Sequence, residues 1–220
     1  MKGKFIVIEG TDGSGKGTQV KLLVQRLKAD GVPVEMVDFP QYENPSSYFM
    51  AKYLRGEYGT AEEVGPYRAS IFTAVDRYDK SFDIKRWLDE GIYVIANRYV
   101  SSNMGHQSGQ IDNLEERDKY LEWLYNLEYK IFGIPVPDQT IFLFVPPELG
   151  QEMVNHKNAR NYTNGKKMDI HEADITHLKK ASEAYIYVAE KYGWKTINCS
   201  KDGEMLSRDV INEEIYNAIA

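Results

Sequence analysis

The residues best placed to do chemistry are Gly10-Thr11-Asp12-Gly13-Ser14-Gly15-Lys16. Glycines at these intervals let the backbone turn so that successive N–H groups point inward. A helix opening behind them adds positive potential, and Lys16 reaches the outer oxygens of a bound polyphosphate. The pattern is that of a phosphate-binding loop. Loops of this kind often use a hydroxyl directly after the lysine on Mg²⁺. Here Gly17 follows Lys16 and the hydroxyl arrives at Thr18. Thr18 is therefore expected on a phosphate, with the metal held through waters or Asp12.

Such a loop serves both hydrolysis and transfer. The base-reading Asn-Lys-x-Asp motif of GTPases is absent. No acidic pair closes a later apolar run, since 92–97 leads into Arg98-Tyr99 and 139–145 into Pro146. Arginines stand instead where a second anion could sit: Arg98 past the run at 92–97, Arg77 in Asp76-Arg77-Tyr78, and Arg160 in a basic stretch. That points to an acceptor that is itself a phosphate, with about −1.5 to −2 charges at neutral pH. Such a nucleophile needs positive groups to bring two anions together rather than a strong base. Arginine suits this because it binds phosphate with two prongs and stays charged. A sugar hydroxyl acceptor would instead require a carboxylate, and Asp38 or Glu43 could supply one. Arg77 could equally pair with Asp76 or Asp79 on a helix surface, and Arg98 could be a solvated loop charge.

These groups need a scaffold. Short β-rich runs at 4–9, 34–39, 92–97, 139–145 and 194–198 alternate with helical stretches. Val20, Leu23, Val24 and Leu27 recur at steps of three and four. A second helix is predicted from Pro66, which suits a first helical turn. A third is predicted after Asp112 or Asn113, through Leu121, Leu124 and Ile131, and a fourth from about Glu172 to Tyr192. The alternation predicts an α/β fold: a five-stranded parallel sheet with helices on both faces and ligands at the carboxyl ends of the strands. The 220 residues fit one domain spanning 1–220. The stretch 156–167, HKNARNYTNGKK, carries four basic and no acidic residues and reads as a surface loop or a lid.

Composition closes other routes. With 27 Lys and Arg against 33 Asp and Glu, the net charge of −6 disfavours a non-specific nucleic-acid binder. One cysteine, Cys199, allows neither an internal disulfide nor a cysteine metal cluster. The stretch MKGKFIVIEG lacks a signal-peptide apolar region, and no run approaches the ~20 apolar residues of a membrane span. A soluble, cytoplasmic protein without membrane or nucleic-acid partners is expected.

Lys16-Gly17-Thr18-Gln19 is found in nucleoside monophosphate kinases of the adenylate kinase type. The ordered set of segments resembles the thymidylate kinase family over nearly the whole chain. Its parts are FIVIEGTDGSGKGTQ with Glu9 and Asp12, DFPQY at 38–42, RGEYG at 55–59, AVDR at 74–77, NRYVSSN at 97–103, PPE at 146–148 and EAYIYVAEKYGWKTIN near the end. The resemblance implies a P-loop kinase fold with a lid segment at about 156–172. It implies γ-phosphate transfer from ATP, with Mg²⁺, to dTMP, in a homodimer. Gly10, Asp12, Gly13, Ser14, Gly15, Lys16, Gly17 and Thr18 would hold ATP. Asp12 would also touch the acceptor sugar 3′-hydroxyl or the metal's waters. Phe39 and Pro40 would line the acceptor pocket, with Tyr42 and Arg98 at its phosphate. Arg77 would reach the thymine carbonyl and Asn103 the base edge, and Arg160 would act from the lid.

This chain also departs from the family. Gly13 stands where some members place an arginine, shifting that work to the 156–167 segment. Asn97 replaces an aspartate, and Gln41 stands where an arginine is often seen. Thr73 occupies the place of the aromatic that stacks on thymine, so Phe72, one step earlier, is expected to take over through a local helix shift. His106 stands where an aromatic usually blocks a ribose 2′-hydroxyl. Tyr120, Trp123, Tyr125 and Tyr129 on the third helix suit either a dimer face or the core.

Overall fold

The computed structural model describes residues 2–155 and 175–219. Five parallel strands form the central sheet: β1 (Phe5–Gly10), β2 (Val34–Asp38), β3 (Tyr93–Asn97), β4 (Gln139–Phe144) and β5 (Lys195–Asn198). Their order is β2-β3-β1-β4-β5, so the first strand lies at the centre with crossovers to either side. All five strands fall where the β-rich runs predict them.

Alternation along the strands divides the core. Phe5 and Val7 face one side, packing with Val94, Ala96, Tyr120, Leu121 and Leu124. Ile6 and Ile8 face the other, against Val20, Leu23 and Leu27 of α1 (Lys16–Ala29) and Ile211 and Ile215 of α8 (Arg208–Ile219). A period of two suits a sheet covered on both faces only if both residue sets are apolar, as here.

On the first side lie α3 (Ala61–Asp89), α4 (Val100–His106), α5 (Leu114–Tyr125) and α7 (Ile175–Tyr192). Helix α3 contains a break at Gly65, where φ is 74°. The long run from Pro66 is the one predicted. A short turn capped by Thr60 and Glu63 precedes it, each donating a backbone N–H to the other's side chain. Helix α5 starts at its predicted cap, the Asn113 side chain accepting from the Glu116 N–H at 3.0 Å. It runs into a single π-helical turn, Asn126–Ile131. Two short helices, α2 (Tyr48–Leu54) and α6 (Pro147–Asn155), and a hairpin of β6 (Ser200–Lys201) and β7 (Glu204–Met205) complete the described chain. Among the described residues no helix is long and apolar enough to cross a membrane.

Register decides the site. Asp38 of β2 lies beside Asn97 of β3, and Gly10 of β1 beside Leu143 of β4. The carboxyl ends of these strands therefore finish at one level, under the start of α1.

Candidate active site

The chain turns from β1 into α1 through the glycine-rich loop. Gly15 caps α1 in the left-handed region, φ 82°, and no side chain caps the helix's first N–H groups. Without such a cap the start of the helix is left for an anion. At Gly13, φ is 86° and an added Cβ would stand 2.1 Å from the Gly150 carbonyl oxygen. The loop is thus pressed against α6. The Lys16 ammonium donates to the Gly10 and Thr11 carbonyls, both at 2.8 Å. Buried Ser14 Oγ and Thr11 Oγ1 have no hydrogen-bond partner among the described residues.

Arg98 follows β3 with φ 68°, left-handed for a residue with a Cβ. Strain of this kind persists where surrounding contacts impose it. Its guanidinium pairs with Asp12 and donates to Ser102 Oγ at 3.3 Å and His106 Nε2 at 3.1 Å. Because arginine only donates, His106 accepts through Nε2 and carries its proton on Nδ1. Burial works against the Arg98 charge, but Asp12, Tyr185 and Glu9 outweigh it and its pKa is raised. Fully buried Glu9 accepts from the Ser101 and Ser102 hydroxyls at 2.7 and 2.8 Å and from the Tyr185 hydroxyl at 3.0 Å.

A pocket of about 460 Å³ opens between these groups and α3. Asp12, Gly13, Gly15, Lys16, Gly17 and Thr18 form its loop side. Phe39, Pro40 and Tyr42, just after β2, line it too, as do Arg98, Asn103 and His106 from the end of β3 and α4. Arg77 of α3 lines it as well. It is buried and held by Glu128, with Nε donating to Oε2 at 2.8 Å and Nη2 to Oε1. Neither Asp76 nor Asp79 is its partner. Asp76 instead accepts from the Gln41 N–H at 2.9 Å and the Ser46 hydroxyl at 2.6 Å, tying the loop after β2 to α3.

The family profile described as Thymidylate kinase matches residues 8–210. The chain belongs to the thymidylate kinase family. It is 32% identical over 212 residues to the thymidylate kinase of Plasmodium falciparum, covering 96% of this chain and 90% of that one. It is 30% identical over 191 residues to that of Mycobacterium tuberculosis strain H37Rv, covering 86% and 87%. The solved structure of the Candida albicans thymidylate kinase superposes with a TM-score of 0.76 at 21% identity, over 99% of this chain and 91% of that one, a likeness of fold.

Within this member of the thymidylate kinase family, one sequence expectation needs correction. Phe72 does not line the pocket: its ring packs with Phe49, Tyr53 and Tyr58. No local shift turns it inward, because the helix from Pro66 keeps its phase and presents Thr73 there. Asn97 is not remote from a carboxylate, since its Nδ2 donates to Asp38 Oδ1 at 2.9 Å. Arg160 and the 156–172 lid lie outside the described residues. Glu128 was missed, although Leu121, Leu124 and position 128 follow steps of three and four. An acidic residue on that apolar stripe was the cue. Tyr185 carries no comparable sequence signal.

Proposed function

We propose that this chain transfers the γ-phosphate of ATP to dTMP, giving ADP and dTDP. The carrying observation is that one pocket unites the phosphate loop, Arg98 and the pair Arg77 and Asn103. This supplies two anion-binding poles and a hydrogen-bonding end suited to a base.

The loop N–H groups, Lys16 and Thr18 hold the ATP phosphates. Arg98 takes the acceptor phosphate from its position beside Asp12, and Tyr42 lies at the same end. The acceptor oxygen is already anionic, so the protein's work is to align it and to neutralise charge spreading over the transferring group. Phe39 and Pro40 flank the acceptor, and His106, hydrogen-bonded to Arg98, stands toward its sugar.

The residues present fit Mg²⁺. Asp12, Asp38 and the buried Asn97 Oδ1, which has no partner among the described residues, are hard oxygen donors beside Lys16. No group of three or more His, Cys, Asp and Glu forms a metal cage among the described residues. A cation keeping most of its waters suits such a set. When bound, it neutralises phosphate charge.

A homodimer is the further reading. Tyr67, Ile71, Tyr78 and Phe82 are exposed on one face of α3, with Val75 between them, at helical spacing. The net charge of −6 argues against a non-specific nucleic-acid partner.

The test is turnover with ATP, Mg²⁺ and a panel of dTMP, dUMP, dGMP, AMP and thymidine. The expected result is that dTMP has the highest kcat/KM. A panel in which dTMP is a poor acceptor would overturn the assignment.

A further inference from the structure

We propose that Glu128 is a positioning residue that sets the hydrogen-bond polarity of the base end of the pocket, so that it accepts carbonyl-bearing bases and disfavours amino-bearing ones. This rests on the reading that Arg77 and Asn103 face the acceptor base.

Glu128 is fully buried and does not line the pocket. It sits on the π-helical turn that follows α5. Its two oxygens take Nε–H and one Nη2–H of Arg77. Burial pushes the Glu128 carboxyl up, and the Arg77 guanidinium gripping both of its oxygens opposes that push, so the pair is held as matched opposite charges. A guanidinium so matched is a poor phosphate site but a well-fixed donor.

Guanidinium has five N–H groups. Glu128 takes two. The other Nη2–H is shared by Thr73 Oγ1 at 3.1 Å and Asn103 Oδ1 at 3.2 Å. One Nη1–H reaches the Tyr99 carbonyl at 3.3 Å. The remaining Nη1–H has no acceptor among the described residues, and Arg77 lines the pocket.

The same fork orients Asn103. Arginine cannot accept, so the amide atom beside Nη2 must be oxygen. Thr73 Oγ1 also lies 2.9 Å from that oxygen. The amide therefore presents its nitrogen, and Asn103 Nδ2 is buried with no partner among the described residues. The side chain is 3% exposed and lines the pocket. This network leaves two donors, Asn103 Nδ2 and the second Nη1–H, and no acceptor on residues that line the pocket. A carbonyl oxygen satisfies them, whereas an exocyclic amino group would set donor against donor. Sites built on buried polar groups discriminate strongly because a mismatch leaves those groups unpaired.

Equilibrium binding of dTMP and dCMP to the full chain, measured by calorimetry without ATP, tests this. In Glu128→Gln the side-chain amide offers one acceptor and opposes the second N–H with its own donors. The dCMP-to-dTMP ratio of Kd should fall about tenfold, mainly through weaker dTMP binding, as expected for one lost charge-assisted hydrogen bond. Glu128→Asp keeps the charge but retracts the fork and should lower the ratio in the same direction, giving a second variant should the first not fold. Added to Arg77→Met, Glu128→Gln should lower the ratio no further. An unchanged ratio in a folded Glu128 variant, even with a lowered Tm, overturns the proposal. If Arg77→Met lowers the ratio and the Glu128 variants do not, only the role of Glu128 fails. If Arg77→Met leaves it unchanged, the base-facing reading fails as well.

Discussion

Arg98, at the carboxyl end of β3, is ion-paired to Asp12 in the middle of the phosphate loop. The pair ties the segment after β3 to the phosphate loop across the mouth of α1. It also explains why a non-glycine residue is kept at φ 68°. That backbone aims the side chain across the sheet edge toward β1 rather than out to solvent.

Arg98→Lys should therefore keep the charge and lose the fork. A lysine is a single point charge without the planar fork that spans Asp12, Ser102 and His106 from two nitrogens. kcat/KM for dTMP should fall about 10²- to 10³-fold, the scale of one transition-state donor. ATP affinity by calorimetry should change little. A variant as active as the wild type would mean that Arg98 is structural.

Lys16→Ala removes the ammonium that now rests on two loop carbonyls. Turnover should drop about 10²- to 10³-fold. The Tm should move only slightly, since the loop keeps its glycine geometry. Coupled ADP release and thermal melting separate these effects.

Gly13→Ala should be far more damaging than its size suggests. The new methyl would meet the Gly150 backbone at 2.1 Å, at a φ of 86°. Backbone must move, because no flexible side chain is there to yield. About 2–4 kcal/mol of stability should be lost, in the range of overpacking and strain combined. Chemical denaturation measures it, and a near-neutral result would mean that α6 is free to retreat.

Alkali should unfold the protein through its buried acids. Burial, with a smaller push from Glu214, raises the Cys199 thiol to about 12. Burial likewise raises the Tyr120, Tyr129 and Tyr185 phenols. Each folded pKa exceeds its unfolded value, so the folded state holds these protons longer. The Cys199 contribution is present below about pH 9 and is lost as pH rises toward 12, while those of the tyrosines begin to be lost only above about pH 10. Tm should decline over that window, and Cys199 should resist alkylation at pH 8 until the chain unfolds. Rapid alkylation of the native protein would contradict the burial.

The α3 stripe yields a test of assembly. Phe82→Glu with Tyr78→Glu places charge on an exposed apolar face. Sedimentation should shift from dimer to monomer with little loss of Tm. A wild-type chain that sediments as a monomer would remove the dimer reading.

The strands and the phosphate loop were legible because their signals are local. Apolar alternation, glycine spacing and the caps at Asn113 and Pro66 act within a few residues of themselves. Fully apolar strands such as FIVIE leave little choice but burial on both faces. The Thr60–Glu63 capping box was equally readable, and it places the start of α3 before the Gly65 break. Arg77 and Arg98 were identifiable as unusual charges, but not by their partners.

Those partners come from afar. Glu128 lies 51 residues from Arg77, and Asp12 lies 86 residues from Arg98. Such pairs exist only once sheet register and helix phase are set. Phe72 makes the point most directly. Family resemblance suggested it for the base, yet one helical step is about 100° of rotation, and the packing of α3 assigned the pocket to Thr73. By itself, the sequence determined the phosphate loop, the order of strands and helices, and which residues could carry charge to a second anion. Tertiary structure alone decided which of them meet, because a buried charge is tolerated only where folding delivers its opposite.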